Sequence, residues 1–185
     1  MSPVAAPDDD ILTYTFADAI KMAGHACPTV AGVYLMTLRA LDSLYGESTP
    51  ERGAISVAFP AAAQEGVTGV MANVVTQITG ATTDTGFKGL GGHFDRRGLL
   101  EFDAAFDGDI MFRRVDTDEA IVASYDASSV PPSPDMFPAL RHAIQTPLAA
   151  AHQKNDFMRL WQDRVQRIFE ASKKGGLITL RTTCH

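Results

Sequence analysis

The chain has 185 residues, 45% of them hydrophobic, and a formal net charge of −6. A chain of this length buries about 70% of the surface its unfolded form exposes, so it needs no disulfides to fold, and one domain with an extension is expected. The acidic balance excludes sequence-independent nucleic-acid binding, which needs a basic face, and a polybasic membrane anchor. No stretch reaches the ~18 apolar residues that span a bilayer, so no membrane partner is expected. Cys27 and Cys184 are too few for a disulfide scaffold. The N-terminus lacks a basic, then apolar, leader and carries Asp8, Asp9 and Asp10 instead. A cytoplasmic protein with reduced thiols is the expectation.

Residues 1–10 read as a flexible tail. Thr15 is a good N-cap for the helical run FADAIKMA, and Gly24 breaks it. Pro28 suits the first turn of a second helix, because its missing N–H is not needed there. Val30, Val33, Leu35, Leu38, Leu41 and Leu44 give that helix a broad apolar face, and Gly46 ends it. Residues 54–59 (AISVAF) read as a strand stopped by Pro60. Residues 69–78 are helical by spacing, with Gly80 closing them. The Gly- and Thr-rich stretch that follows reads as a long loop, a kind usually functional. Residues 99–106 and 109–114 read as strands joined at the hairpin signal Asp107-Gly108, and 120–125 as a third. The prolines of SSVPPSP block helix and central strand alike. Residues 135–172 are helical by spacing, Gly175 and Gly176 stop them, and LITLRT reads as one more strand. The expected fold is α+β, a small mainly antiparallel sheet packed with helices. Residues 11–127 form its core, and 128–185 a C-terminal helical extension packed on the core or on a dimer partner.

The sharpest chemical feature is Gly24-His25-Ala26-Cys27-Pro28, an imidazole and a thiol two residues apart at a helix start. The positive end of the helix dipole favours the thiolate, which is both nucleophile and metal ligand. Structural readings stand beside this one: His25 as a capping or hydrogen-bonding group, Cys27 as a small buried residue. In the glycine-rich loop, Thr82, Thr83 and Thr85 offer hydroxyls, Lys88 a cation and His93 a base or ligand. The loop is not a P-loop, because the Lys-Ser/Thr ending is missing. Cys184-His185 would complete, with His25 and Cys27, a Cys2His2 set for zinc or soft ligands for iron. His142 and His152 read as surface or packing residues. The stripe Met158, Leu160, Trp161, Val165, Ile168, Phe169 reads as core or a dimer face.

Gly24-His25-Ala26-Cys27-Pro28, followed by Val30-Ala31-Gly32-Val33-Tyr34 and a long helix, resembles the opening of the FmdE-like family of formylmethanofuran dehydrogenase proteins. Thr79-Gly80-Ala81-Thr82, with Gly86 and Lys88 after it, resembles that family's Thr-Gly-Cys-Thr segment and glycine-rich loop. The resemblance covers residues 15–125. The chain departs from it at Ala81, Val70 and Asn73, where the family carries Cys, Cys and Asp, and at Thr29, where it carries Gly. The cysteine-rich finger of many members has no counterpart here. The resemblance implies an α+β core, a homodimer, and a pocket around the His/Cys motif that can hold a metal. Taken with the residues read above, the expected small-molecule site holds a divalent metal, zinc or iron, with His25 and Cys27 as ligands and Cys184 and His185 as candidates to complete them, Asn73, Thr82 and Thr83 as substrate contacts, and Lys88 and His93 as catalytic groups. Metal-assisted chemistry on a small carbonyl or one-carbon compound is one expectation. A non-catalytic metal or haem-type cofactor binder or sensor, or an accessory component of a redox complex, is the other.

Overall fold

Helix α1 (Phe16–Ala23) begins where the sequence places it. Thr15 stands in extended geometry, and the Asp18 carboxylate accepts its backbone N–H at 2.9 Å and its hydroxyl at 2.7 Å. Gly24 ends the helix in the left-handed region and returns its N–H to the Ile20 carbonyl. In this computed structural model, which describes residues 11–145 and 151–183, the expected tail at 1–10 lies outside the described residues. Helix α2 (Pro28–Tyr45) is the central element. Helix α3 (Thr68–Thr79) packs along it and ends at Gly80, also left-handed.

The sheet contains β4 (Leu100–Glu101), β1 (Ile55–Ala58), β5 (Ile110–Arg114), β6 (Ala120–Tyr125) and β7 (Ile178–Thr183), in that spatial order. Only β1 and β4 pair in parallel; the other pairs are antiparallel. The fold is therefore mixed α+β with a mainly antiparallel sheet. Val57 pairs with Phe112 and Phe112 with Ile121, and these three side chains sit in one buried cluster with Val30, Val33, Val74 and Val75. No helix among the described residues is long and apolar enough to cross a membrane.

The hairpin expected at Asp107-Gly108 is not formed. Strand β1 inserts between β4 and β5, so the strands flanking this dipeptide never pair. Gly108 is required for another reason: a Cβ on it would stand 2.2 Å from Val122 Cγ1. The hairpin is β5–β6, turning through residues 115–119, with the Arg114 N–H on the Glu119 carbonyl at 2.9 Å. The glycine-rich loop holds a small second sheet of β2 (Lys88–Leu90) and β3 (His93–Asp95).

The described residues within 135–172 include two helices, α4 (Met136–Gln145) and α5 (Ala151–Ser172), which pack against each other. Val165 and Ile168 of α5 bury against Ala31 and Leu35 of α2, with Val130 and Leu177. Strand β7 then joins the edge of the sheet along the whole of β6, so the C-terminal segment contributes a strand to the core's own sheet as well as its helices.

Candidate functional site

Cys27 caps α2. Its backbone is extended, and its sulfur accepts the Val30 N–H at 3.3 Å. The side chain is 7% exposed. His25 is exposed, and its Nδ1 lies 3.0 Å from the Ala23 carbonyl. A carbonyl can only accept, so Nδ1 carries a proton, and in the neutral ring Nε2 is the nitrogen left to take a ligand or an ion. The segment between them is tied from the far end of the chain: the Trp161 indole N–H donates to the Ala26 carbonyl at 2.7 Å.

Between the first turns of α2 and the start of α3, a cavity of about 200 Å³ is lined by Thr29, Met36, Val67, Met71, Asp109 and Tyr125. Asp109 accepts the Tyr125 backbone N–H at 2.7 Å. The Tyr125 ring lies directly on α2 at Gly32, where a Cβ would stand 2.4 Å from ring atom Cε1. The early glycine of the helix is thus a seat for this ring. The Tyr125 hydroxyl is buried and has no hydrogen-bond partner in the structure. Burial pushes its pKa up to about 12, with negative charge on Cys27 and Asp126 adding to the rise and Arg164 opposing it.

The other candidates lie elsewhere. Thr29 and Met36 of α2 share their cavity with Val67 and Met71 from the start of α3, whereas Leu38 and Leu41 meet Ile78 near its end. The two helices therefore run in the same direction, and the loop after Gly80 begins at the far end of α3, about 18 Å along a helix of this length. Thr82 serves that loop structurally: its hydroxyl donates to the Arg96 carbonyl at 2.8 Å, and its own carbonyl accepts the Leu99 and Leu100 N–H groups. Thr83 is exposed and donates to Asp84 at 3.0 Å. Asn73 is exposed on α3. Lys88 and His93 are exposed on one face of the β2–β3 hairpin, as their pairing with Asp95 and Leu90 requires. The segment that carries His25 and Cys27 thus lies at one end of α3, and the loop that carries Thr82, Thr83, Lys88 and His93 leaves the other.

Cys184 and His185 lie outside the described residues. The last residue before them, Thr183, pairs with Ala120, while Tyr125 pairs with Ile178 at the opposite end of the same two strands. Among the described residues no group of three or more His, Cys, Asp or Glu could hold a metal ion. A closed zinc site takes four protein donors and a catalytic one three. His25 supplies an imidazole and Cys27 a thiol, two of the donor types such a site uses, and no third donor stands with them among the described residues.

Sequence reasoning passed over Tyr125 and Asp109 and read Trp161 only as part of an apolar stripe. Nothing in their local pattern marks them for this site, because each reaches it by sheet register or helix packing rather than by proximity in the chain. The chain matches no protein-family model and no curated protein.

Proposed function

We propose that the protein is a binding protein of the kind the sequence resemblance implies. It takes a small polar molecule at the start of α2, together with a divalent metal, zinc or iron, whose ligands include His25 and Cys27. A second copy of the chain, in a homodimer, supplies the missing donor. The observation that carries the reading is the His25 ring: its Nδ1 is held by the Ala23 carbonyl at 3.0 Å, so that in the neutral ring Nε2 is the nitrogen left to bind an ion, two residues from a helix-capping thiol. A partner on the second ring nitrogen is how metal-binding histidines are usually oriented. A metal held there polarises a ligand oxygen. The β2–β3 hairpin that carries Lys88 and His93 belongs to the loop that leaves the opposite end of α3, which favours binding over catalysis by these two groups.

A second reading, metal-free binding in the cavity at the start of α2, is favoured by its mixed lining, in which Val67 and Met71 stand with Thr29 and Asp109. A ligand with a compact apolar body and one hydrogen-bonding group would pack on the first two and be held by the second two. Trp161, the sole tryptophan, reports on the site through its bond to Ala26. Titration of the metal-stripped protein with zinc(II) or iron(II) is expected to change its emission saturably and to favour the dimer in sedimentation, with His25→Ala abolishing both. A protein that purifies without metal and shows no emission change would overturn the first reading and leave the second.

A further inference from the structure

The opposite end of α3 carries a pair of arginines that the site above does not use. Arg52, in the loop between α2 and β1, donates from Nη1 to the carbonyls of Gln77 and Ile78 (2.8 Å for Ile78) and to the Tyr14 hydroxyl at 2.7 Å. Arg96, just after β3, lies with its guanidinium carbon 5.3 Å from the centre of the Phe87 ring. Its Nε is buried and has no acceptor in the structure. The two side chains meet over Gly80: a Cβ on that glycine would be 3.3 Å from Arg96 Nε and 3.4 Å from Arg52 Nε. The neighbouring acid does not serve them, because Asp95 is engaged by Arg97 at 2.7 and 3.0 Å. Among the described residues neither Arg52 nor Arg96 forms a salt bridge.

We propose that Arg52 and Arg96 form an anion site at the end of α3, and that its ligand is a small monocarboxylate with a short apolar tail. The head group follows from the paired guanidiniums, which present planar, fixed donors that suit a carboxylate. Two like charges held this close repel each other, and the negative end of the α3 dipole is engaged by Arg52, which leaves Arg96 as the cation a bound anion compensates. Burial, together with the Arg96 charge, already holds Arg52 below its ordinary pKa, opposed by Tyr14, and a bound carboxylate reverses that balance. The tail follows from the wall beside Arg52. A cavity of about 150 Å³ opens there, lined mainly by Leu12, Leu38, Leu41, Pro50 and Ile78. An inorganic oxyanion would leave those side chains in contact with water, whereas a branched alkyl group of a few carbons covers them. The Arg52 bonds to the last carbonyls of α3 give the site a fixed base, since that cation is anchored before any ligand arrives.

The test is calorimetric titration of the full chain with 3-methylbutanoate, with its amide, and with inorganic phosphate. The acid is expected to bind saturably in the millimolar range or tighter, and the amide and phosphate at least about tenfold more weakly, a difference of about 1.4 kcal/mol. Arg96→Gln removes one cation while leaving the Arg52 anchors intact, and should weaken the acid about tenfold. Leu38→Asp, at a side chain already 39% exposed, places a negative charge in the apolar wall and should abolish binding without unfolding the protein. Equal binding of acid and amide, or no binding of either to the folded wild type, would overturn the proposal. Phosphate binding as tight as the acid's and indifferent to Leu38→Asp would overturn it too, because the tail would then have no role.

Discussion

Trp161 and Ala26 are joined by a single hydrogen bond, the indole N–H on the Ala26 carbonyl at 2.7 Å, between residues 135 positions apart. Ala26 stands between His25 and Cys27, so helix α5 sets the path of the segment that carries both. Trp161→Phe keeps a ring against Phe157, whose centre lies 5.4 Å away, and removes only the donor. The half-buried carbonyl then loses its partner, which costs about 1–2 kcal/mol. Urea denaturation should show a lower midpoint with an unchanged slope. A midpoint equal to that of wild type would mean that the bond does not hold the segment.

Gly32 and Tyr125 give a second test. An alanine methyl at Gly32 meets the Tyr125 ring at 2.4 to 2.9 Å, so the ring must leave its place or α2 must move. Such overpacking costs about 1–3 kcal/mol. Gly32→Ala should lower the melting temperature in the wild-type background and much less in a Tyr125→Ala background, where the clash has no second member. Additive effects of the two changes in a double-mutant cycle would show that the ring does not sit on this glycine.

The helices were legible in the sequence because their signals are local. Thr15 and Gly24, Pro28 and Gly46, and Gly80 stand at helix ends in the structure as they do in the pattern. Sheet order was not legible, because pairing is decided between segments far apart. Asp107-Gly108 shows the difference. The glycine is needed, but for its approach to Val122 on β6 rather than for a turn between its neighbours. The same limit applies to the site. The motif around His25 and Cys27 is contiguous and can be read directly. Tyr125 reaches Gly32 through the packing of β6 on α2, and Arg96 reaches Arg52 through a loop folded back over Gly80, so neither pair leaves a mark at any fixed spacing.

Acid should loosen the start of α1. The Thr15 backbone N–H and hydroxyl, then Lys21 at 3.1 Å, hold the Asp18 carboxyl at about 2 against an ordinary 3.8. The folded carboxylate therefore resists protonation more than the unfolded one does. Its contribution is complete above the ordinary value and is lost as pH falls from about 4 towards about 2. Asp18→Asn should be less stable than wild type at neutral pH, and the gap should narrow across that window. A gap that stayed constant down to pH 2 would show that Asp18 titrates normally in the folded chain.

Cys27 holds two roles that substitution can separate. As an N-cap, its sulfur accepts the Val30 N–H at 3.3 Å, a task that a serine hydroxyl performs well and an alanine cannot perform. As a metal ligand, the thiolate is far better than a neutral hydroxyl for zinc or iron. Cys27→Ser should then keep the stability of the metal-free protein close to wild type, while Cys27→Ala lowers it by about 1 kcal/mol. Both should lose zinc affinity by at least about tenfold, since losing even an outer hydrogen-bond partner of a ligand has that effect. The measurements are chemical denaturation in chelator and a competitive zinc titration. Loss of stability in Ala alone, with zinc affinity unchanged in both, would leave Cys27 a helix cap and remove it from any metal site. Loss of zinc in both, with stability kept only in Ser, is the pattern expected of a residue that caps α2 and ligates an ion with the same atom.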